Sequence, residues 1–196
     1  MRNIIKSTLT ILILFVVMIF VAGWNKADCY TVKRISTIKE RTKSLDWSHT
    51  NNLITFGKWG SDGYVDVYIM EPDGSNEQCL TCDKQGVPQK HNGNPAWHPS
   101  GKYIVFTAEN KDNPKRLKYE ARPGTGTNCN LWAMTSDGEQ FYQLTDYPIK
   151  LPFKAVIHPQ FSYDGRKLFW AERVARGKSF AGGWVMKMAD FVVDSK

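Results

Sequence analysis

Apolar and polar positions follow one recurring pattern through most of the chain. Three ten-residue segments align without a gap: WSHTNNLITF from Trp47, WHPSGKYIVF from Trp97 and FSYDGRKLFW from Phe161. Each opens on an aromatic and passes through a polar turn (Asn51-Asn52, Ser100-Gly101, Asp164-Gly165) whose residues tolerate positive φ. Each then alternates as an apolar strand through Ile54 and Phe56, Ile104 and Phe106, or Leu168 and Trp170. That arrangement predicts a β-hairpin. A second unit recurs downstream of the first two: DVYIMEPDGSNEQCLT from Asp66 and NLWAMTSDGEQFYQLT from Asn130. It predicts a strand, an Asp-Gly turn (Asp73-Gly74, Asp137-Gly138) and a further strand ending in Leu-Thr. Four antiparallel strands per repeat, with insertions of variable length, predict an all-β protein built of β-propeller blades, because one such sheet leaves both faces to be covered by its neighbours.

The order aromatic, turn, apolar strand, apolar strand, Asp-Gly, Leu-Thr resembles the TolB-type, WD-like propeller repeat over about residues 30–190. The resemblance implies four-stranded blades around a central channel. It leaves function open, because the same repeat serves envelope adaptors, gating domains of serine peptidases and some polysaccharide-active enzymes. Counting strands places an orphan outer strand at 30–37, a blade at 44–82, a second at 93–146 and a partial third at 157–191, about three blades' worth within a propeller region of 30–196. Rings hold about 4–8 blades, so the expectation is an incomplete ring, closed by sequence absent here or by an oligomer. Closure on the third blade would crowd the central strands.

Composition adds an export address. Arg2 and Lys6 precede an almost unbroken apolar run from Leu9 to Gly23, with Val21 and Gly23 at the −3 and −1 positions of a cleavage site. Residues 1–23 therefore read as a signal peptide, or as an N-terminal membrane anchor if uncleaved. Either way the remainder is sent across the membrane, to the periplasm or the extracellular space. Lys26, Ala27 and Asp28 before Cys29 do not suit a lipid-attachment site. The formal charge of +7 is modest and includes the two leader cations. Because the aromatics occupy repeat positions, no basic and aromatic surface for nucleic acid is expected.

Candidate chemistry is sparse. Alternation along the innermost strand predicts that residues one and three before each leading aromatic face the channel: Ser44 and Asp46, Asn94 and Ala96, His158 and Gln160. Asp46, Asn94, His158 and Gln160, joined by His91 just ahead of the second innermost strand, are the candidate ligand residues at the channel mouth. The competing reading is a wet channel wall with no ligand. His49 and His98 fall in or beside hairpin turns and read as surface residues. Cys79 and Cys82 form a CxxC pair without the second pair a structural zinc site needs, and without the His that follows a haem-attachment motif. In an exported chain a disulfide is the better reading, and a bridge between them requires a turn. No metal and no cofactor are expected. The 109–129 insertion carries five Lys and Arg residues and is long enough to be functional; it could hold an acidic glycan or an acidic protein. No GxSxG elbow is present. The reading is an exported binding scaffold for an envelope or extracellular protein or a glycan, with no catalysis of its own. The alternatives are a fragment of an oligogalacturonate-lyase-like propeller enzyme and the gating propeller of a serine peptidase.

Overall fold

The structure is a computed structural model that describes residues 31–110, 126–147, 155–176 and 179–193. The leader, Cys29 and most of the basic insertion lie outside them. Among the described residues, eleven strands occur in chain order: β1 (Thr42–Ser48), β2 (Leu53–Trp59), β3 (Val65–Met70), β4 (Gln78–Cys79), β5 (Asn92–Trp97), β6 (Tyr103–Glu109), β7 (Cys129–Thr135), β8 (Phe141–Gln143), β9 (Val156–Phe161), β10 (Lys167–Arg176) and β11 (Ser179–Asp190). They form three antiparallel sheets in the orders β1-β2-β3-β4, β5-β6-β7-β8 and β9-β10-β11. This is the expected all-β blade architecture.

The blades stack through apolar side chains that alternate across each sheet. Trp97 pairs with Ile104, and Phe106 with Trp132. Together with Met134 they form the face that packs on Val67 and Leu80 of the first blade. The opposite face of the same sheet presents Val105, Leu131 and Ala133 to Val156 and Leu168 of the third blade, with Phe161 and Trp170 packed alongside. The middle blade is accordingly buried on both faces, and every residue of β5 is buried.

Two repeated details explain why the motif recurs. In the first blade the Thr81 hydroxyl accepts a hydrogen bond from the Val67 N–H (3.0 Å) and donates to Asp66 Oδ1 (2.7 Å), while Leu80 N–H bonds to the Val67 carbonyl (2.8 Å). The second blade repeats the clasp with Thr145, Leu131 and Asn130 at 2.9 and 3.1 Å, and Leu144 N–H on the Leu131 carbonyl. The Leu-Thr ending therefore fastens a very short fourth strand to the third. The threonine serves as both acceptor and donor, and the Asp or Asn opening the repeated unit receives its proton. In the third blade Val185 occupies the position of Asp66 and Asn130, so the acceptor is missing.

The second detail concerns turn glycines. Gly138 has φ +68, and a Cβ there would lie 2.8 Å from the Leu80 carbonyl oxygen of the preceding blade. Gly165, at φ +73, would put a Cβ 2.3 Å from His98 Nε2. Left-handed backbone and close approach both exclude a side chain. In the first blade the left-handed residue is Asn52 (φ 54), and the turn there is closed by Asn52 N–H on the Ser48 carbonyl.

One expectation is corrected. Residues 31–39 form no strand. Arg34, with φ 56, interrupts the extended run that a strand would need. Further along, Ile38 lies against Gly74, and Lys39 pairs with Glu77 at 2.5 Å. Residues 38 and 39 thus cross the outer hairpin of the first blade.

The clasp gives a test. Thr81→Val keeps the shape but leaves the buried Val67 N–H without its acceptor, which costs about 1–3 kcal/mol. Thr81→Ser should recover most of that loss, as read from urea unfolding midpoints at constant m.

Candidate ligand site at the channel mouth

Blades stand edge-on to the channel, so the side chains of the innermost strands point along the stacking direction. This overturns the expectation that residues one and three before each aromatic face the channel. Trp97 and Phe161 point toward the preceding blade, and Asp46 and Ala96 toward the following one, with Trp47 and Gln160 at the equivalent register positions of the first and third blades. Asp46 shows the consequence. Its Oδ2 reaches across to the second blade and accepts the Trp97 backbone N–H at 2.6 Å. Ser44 does the same one step down, donating to Asn94 Oδ1 at 2.8 Å.

Asn94 and His158 share a further property. Both have left-handed backbone, φ 49 and 54, at irregularities where β5 slips against β6 and β9 against β10. Such bulges bend the innermost strand and re-aim its end. Asn94 is buried; it donates to Thr107 Oγ1 of its own blade at 3.2 Å and accepts from Ser44 of the first blade at 2.8 Å, so it ties the two blades together. His158 is exposed.

The ends of β1, β5 and β9 and their turns enclose a cleft of about 460 Å³ formed by residues 46–50, 97–99 and 160–163. Asp46 and Gln160, two of the five residues expected at the mouth, line it. His91, Asn94 and His158 do not. His91 precedes the far end of β5 and is fully buried. Its Nδ1 accepts the Val65 N–H at 3.1 Å, and Trp59 and Tyr64 meet its ring edge-on at 5.6 and 5.0 Å. A six-residue strand spans about 20 Å, which separates His91 from the mouth.

The reading of His98 as a surface residue is corrected as well. Its ring sits among Phe161 (4.9 Å), Phe191 (5.4 Å) and Tyr103 (6.0 Å) at the junction of the second and third blades. Nε2 stands 3.2 Å from the Gly165 carbonyl, which can only accept, so Nε2 carries the proton. Nδ1 is then free to accept from Ser100 N–H at 3.1 Å. Burial lowers the pKa of this ring below the ordinary histidine value, against a smaller upward pull from the Gly165 carbonyl. An equivalent bridge ties the first blade to the second, where Asn51 Nδ2 donates to the Gly101 carbonyl at 2.6 Å. Successive turns are thus joined through the carbonyl of the next turn's glycine. The gapless alignment of the three segments carried this signal, because it sets the turns in register.

The cleft is aromatic and carries no Lys or Arg. Trp47 and Tyr163 are its most open rings, at 39% and 100% exposure, whereas Trp97 at the repeat-equivalent position is 5% exposed. Asp46 and His98 are already engaged in bonds between blades.

Cys79 and Cys82 are joined in a disulfide across the end of β4, with Cα atoms 5.7 Å apart. Among the described residues, Asp66, Cys79 and Cys82 are the one His, Cys, Asp or Glu group clustered at metal-ligand spacing, but the disulfide takes both sulfurs out of use as thiolate ligands. Cys129 is buried, and the pKa of its thiol is raised first by burial and then by the charge of Glu109.

Known structures place this geometry. A TolB candidate from Agrobacterium tumefaciens matches with a TM-score of 0.54 and 20% identity over 79% of this chain and 47% of its own. TolB from Acinetobacter baumannii matches at 0.51 and 18% identity over 76% of this chain and 30% of its own. The fold is a TolB-like β-propeller. This TolB-like chain spans less than half the length of either structure. No family model matches it, and no curated protein does. A study of two prolyl endopeptidases supplies a more distant match, at 0.44 and 15% identity over 77% of this chain and 22% of its own.

Two measurements follow. Asp46→Ala leaves the half-buried Trp97 N–H without an acceptor and should cost about 1–3 kcal/mol, with Asp46→Asn intermediate in chemical unfolding. For His98 the sign is fixed by its lowered folded-state pKa. Below the unfolded value of about 6.5 the unfolded chain binds the extra proton, so stability is constant above that pH and falls as pH drops through it. Unfolding midpoints measured from pH 7.5 to 5 should show this decline, and His98→Asn should remove it.

Proposed function

We propose that the chain is an exported, non-catalytic binding scaffold whose ligand site is the channel-mouth cleft, and that the ligand is a segment of an envelope or extracellular protein presenting apolar or aromatic side chains. One observation carries this reading. The repeated turns converge on an aromatic cleft whose carboxylate and half-buried imidazole are already committed to bonds between blades. What the cleft offers a ligand is ring surface from Trp47 and Tyr163 together with the polar ends of Gln160 and His49. Such open aromatics are typical of protein contact surfaces.

Export is supported by the cationic and apolar leader at residues 1–23. The resemblance to TolB-type repeats, some of which dock envelope proteins, supports a protein partner. An acidic glycan is less well supported, because the cleft carries no cation and the basic residues of the 109–129 insertion lie outside the described residues. The lyase alternative calls on histidines converging at the channel, and His91 is tied to the Val65 N–H far from the cleft.

A photo-crosslinking residue placed at position 163 in cells, with a control at 142 on the outer rim, tests the proposal. Position 163 should give a discrete adduct with another protein, weakened at least several-fold by Trp47→Ala, and position 142 should not. Identical adducts at both positions, or cleavage of polygalacturonate by the purified protein, would overturn it.

A further inference from the structure

The Leu-Thr clasp is built in both of the first two blades, and around it three differences between them lie together. Asp66 stands where the second blade has Asn130, Cys79 where it has Gln143, and Cys82 where it has Asp146. The ligand atoms of Asp66, Cys79 and Cys82 all lie within 4.8 Å of one another. The second blade makes the same clasp through Thr145, Leu131 and Asn130 with no disulfide beside it. The clasp therefore does not require the bridge, and the two cysteines of the first blade need another explanation.

Their positions are held without the bond between them. Leu80 is fully buried in the core shared with the second blade, and Thr81 is bonded to both the Val67 N–H and Asp66 Oδ1. The bridge closes only residues 79–82, and so short a loop constrains the unfolded chain little. The surroundings also suit thiolates. The Cys82 N–H points to Cys79 Sγ at 3.1 Å, and the Tyr68 hydroxyl lies 3.4 Å from Cys82 Sγ. The Thr81 hydroxyl, donating to Asp66 Oδ1 at 2.7 Å, orients the carboxylate as an outer-shell bond orients a metal ligand. Asp66 and Cys82 line a cleft of about 300 Å³ that also carries Asp62 and Asp83, so a reductant and a cation both have access. Lys90, in the same lining, is engaged by Glu109 at 3.5 Å.

We propose that Cys79, Cys82 and Asp66 form a zinc site that opens when the disulfide is reduced. A dithiol supplies the two electrons and two protons: the bond between the Cys79 and Cys82 sulfurs breaks to give two thiols, and the dithiol closes into a disulfide of its own. Zinc then displaces the two thiol protons and is held by two thiolates and one carboxylate oxygen, with water completing a tetrahedral set. Two thiolates favour zinc or cuprous ion over calcium and magnesium, and the harder carboxylate oxygen beside them favours zinc of the two. Reoxidation would release the metal. The spacing of the cysteines alone did not point here, because the third ligand comes from β3 across the sheet and not from a second CxxC pair. The cleft shares no lining residue with the channel mouth, so the zinc site stands or falls apart from the ligand proposed there.

In the experiment the chain, purified with its bridge formed, is reduced with a dithiol, freed of the reductant without air, and titrated with Co²⁺ as a spectroscopic substitute and then with Zn²⁺. The reduced chain should take up one Co²⁺ and show a thiolate-to-cobalt absorption band in the near ultraviolet that zinc abolishes. The oxidised chain should show no band. Cys79→Ser/Cys82→Ser should abolish it too, which controls for Cys29 and Cys129. Asp66→Asn introduces the residue the second blade has there, keeps an acceptor for Thr81, and should weaken zinc binding about 10-fold or more. Far-ultraviolet circular dichroism should be the same for the oxidised chain, the reduced chain and both variants. A folded, reduced chain that gives no band in excess cobalt would overturn the inference. So would a band that survives the double cysteine change, or a zinc affinity untouched by Asp66→Asn. Loss of the fold on reduction would overturn it as well, since the site needs the clasp to stand without the bridge.

Discussion

Everything in this molecule depends on the fact that a β-sheet has two faces and water can cover only a polar one. Side chains alternate strictly along a strand, so an apolar residue at every second position commits one face to a neighbour. When the intervening positions are apolar too, it commits both. The middle blade shows the limit. Phe106 points back to the first blade and Val105 forward to the third, and neither side chain is left any solvent. Stacking continues as far as the sequence keeps supplying such pairs.

The polar residues of the repeat serve the same stacking. Where an innermost strand ends, its backbone N–H groups and the turn carbonyls must find partners across the blade boundary. Asp46 takes the Trp97 N–H, Asn51 reaches the Gly101 carbonyl, and His98 reaches that of Gly165. Each contact joins one blade to the next at the same height. A cleft surrounded by such contacts is held in shape by the bonds between blades, and its exposed rings are placed by backbone geometry. That suits recognition of a surface better than proton transfer, for which a group must be free to change its protonation without loosening the scaffold.

The blade architecture was legible because it is written twice or three times over: in the gapless segments from Trp47, Trp97 and Phe161, in the paired Leu-Thr endings, and in the Asp-Gly turns. The site was legible only in part. Strand alternation correctly separated Asp46 from Trp47, but it cannot say which way a sheet stands relative to the channel. A blade is edge-on, so the face assumed to line the channel lines the next blade. His98 was read as a surface residue because its turn context suggests exposure, and the aromatics that enclose it come from residues 161 and 191, far away in sequence. His91 was placed at the mouth because it precedes an innermost strand, but it precedes the end remote from the mouth. The orphan strand failed for a local reason, the left-handed Arg34 in its middle.

The contrast between Trp47 and Trp97 carries the argument one step further. Both open the same repeated segment, pair with an isoleucine and lie beside a phenylalanine two residues on, yet one is covered and the other open. Local sequence is therefore not what decides their burial. Val67 and Leu80 of the first blade pack with Trp97 in one cluster, and Trp47 belongs to no such cluster among the described residues. The first-blade face that carries Trp47 is nonetheless closed at its centre, where Ile54, Phe56 and Met70 are buried, whereas the outer face of the third blade leaves Met186 and Met188 exposed.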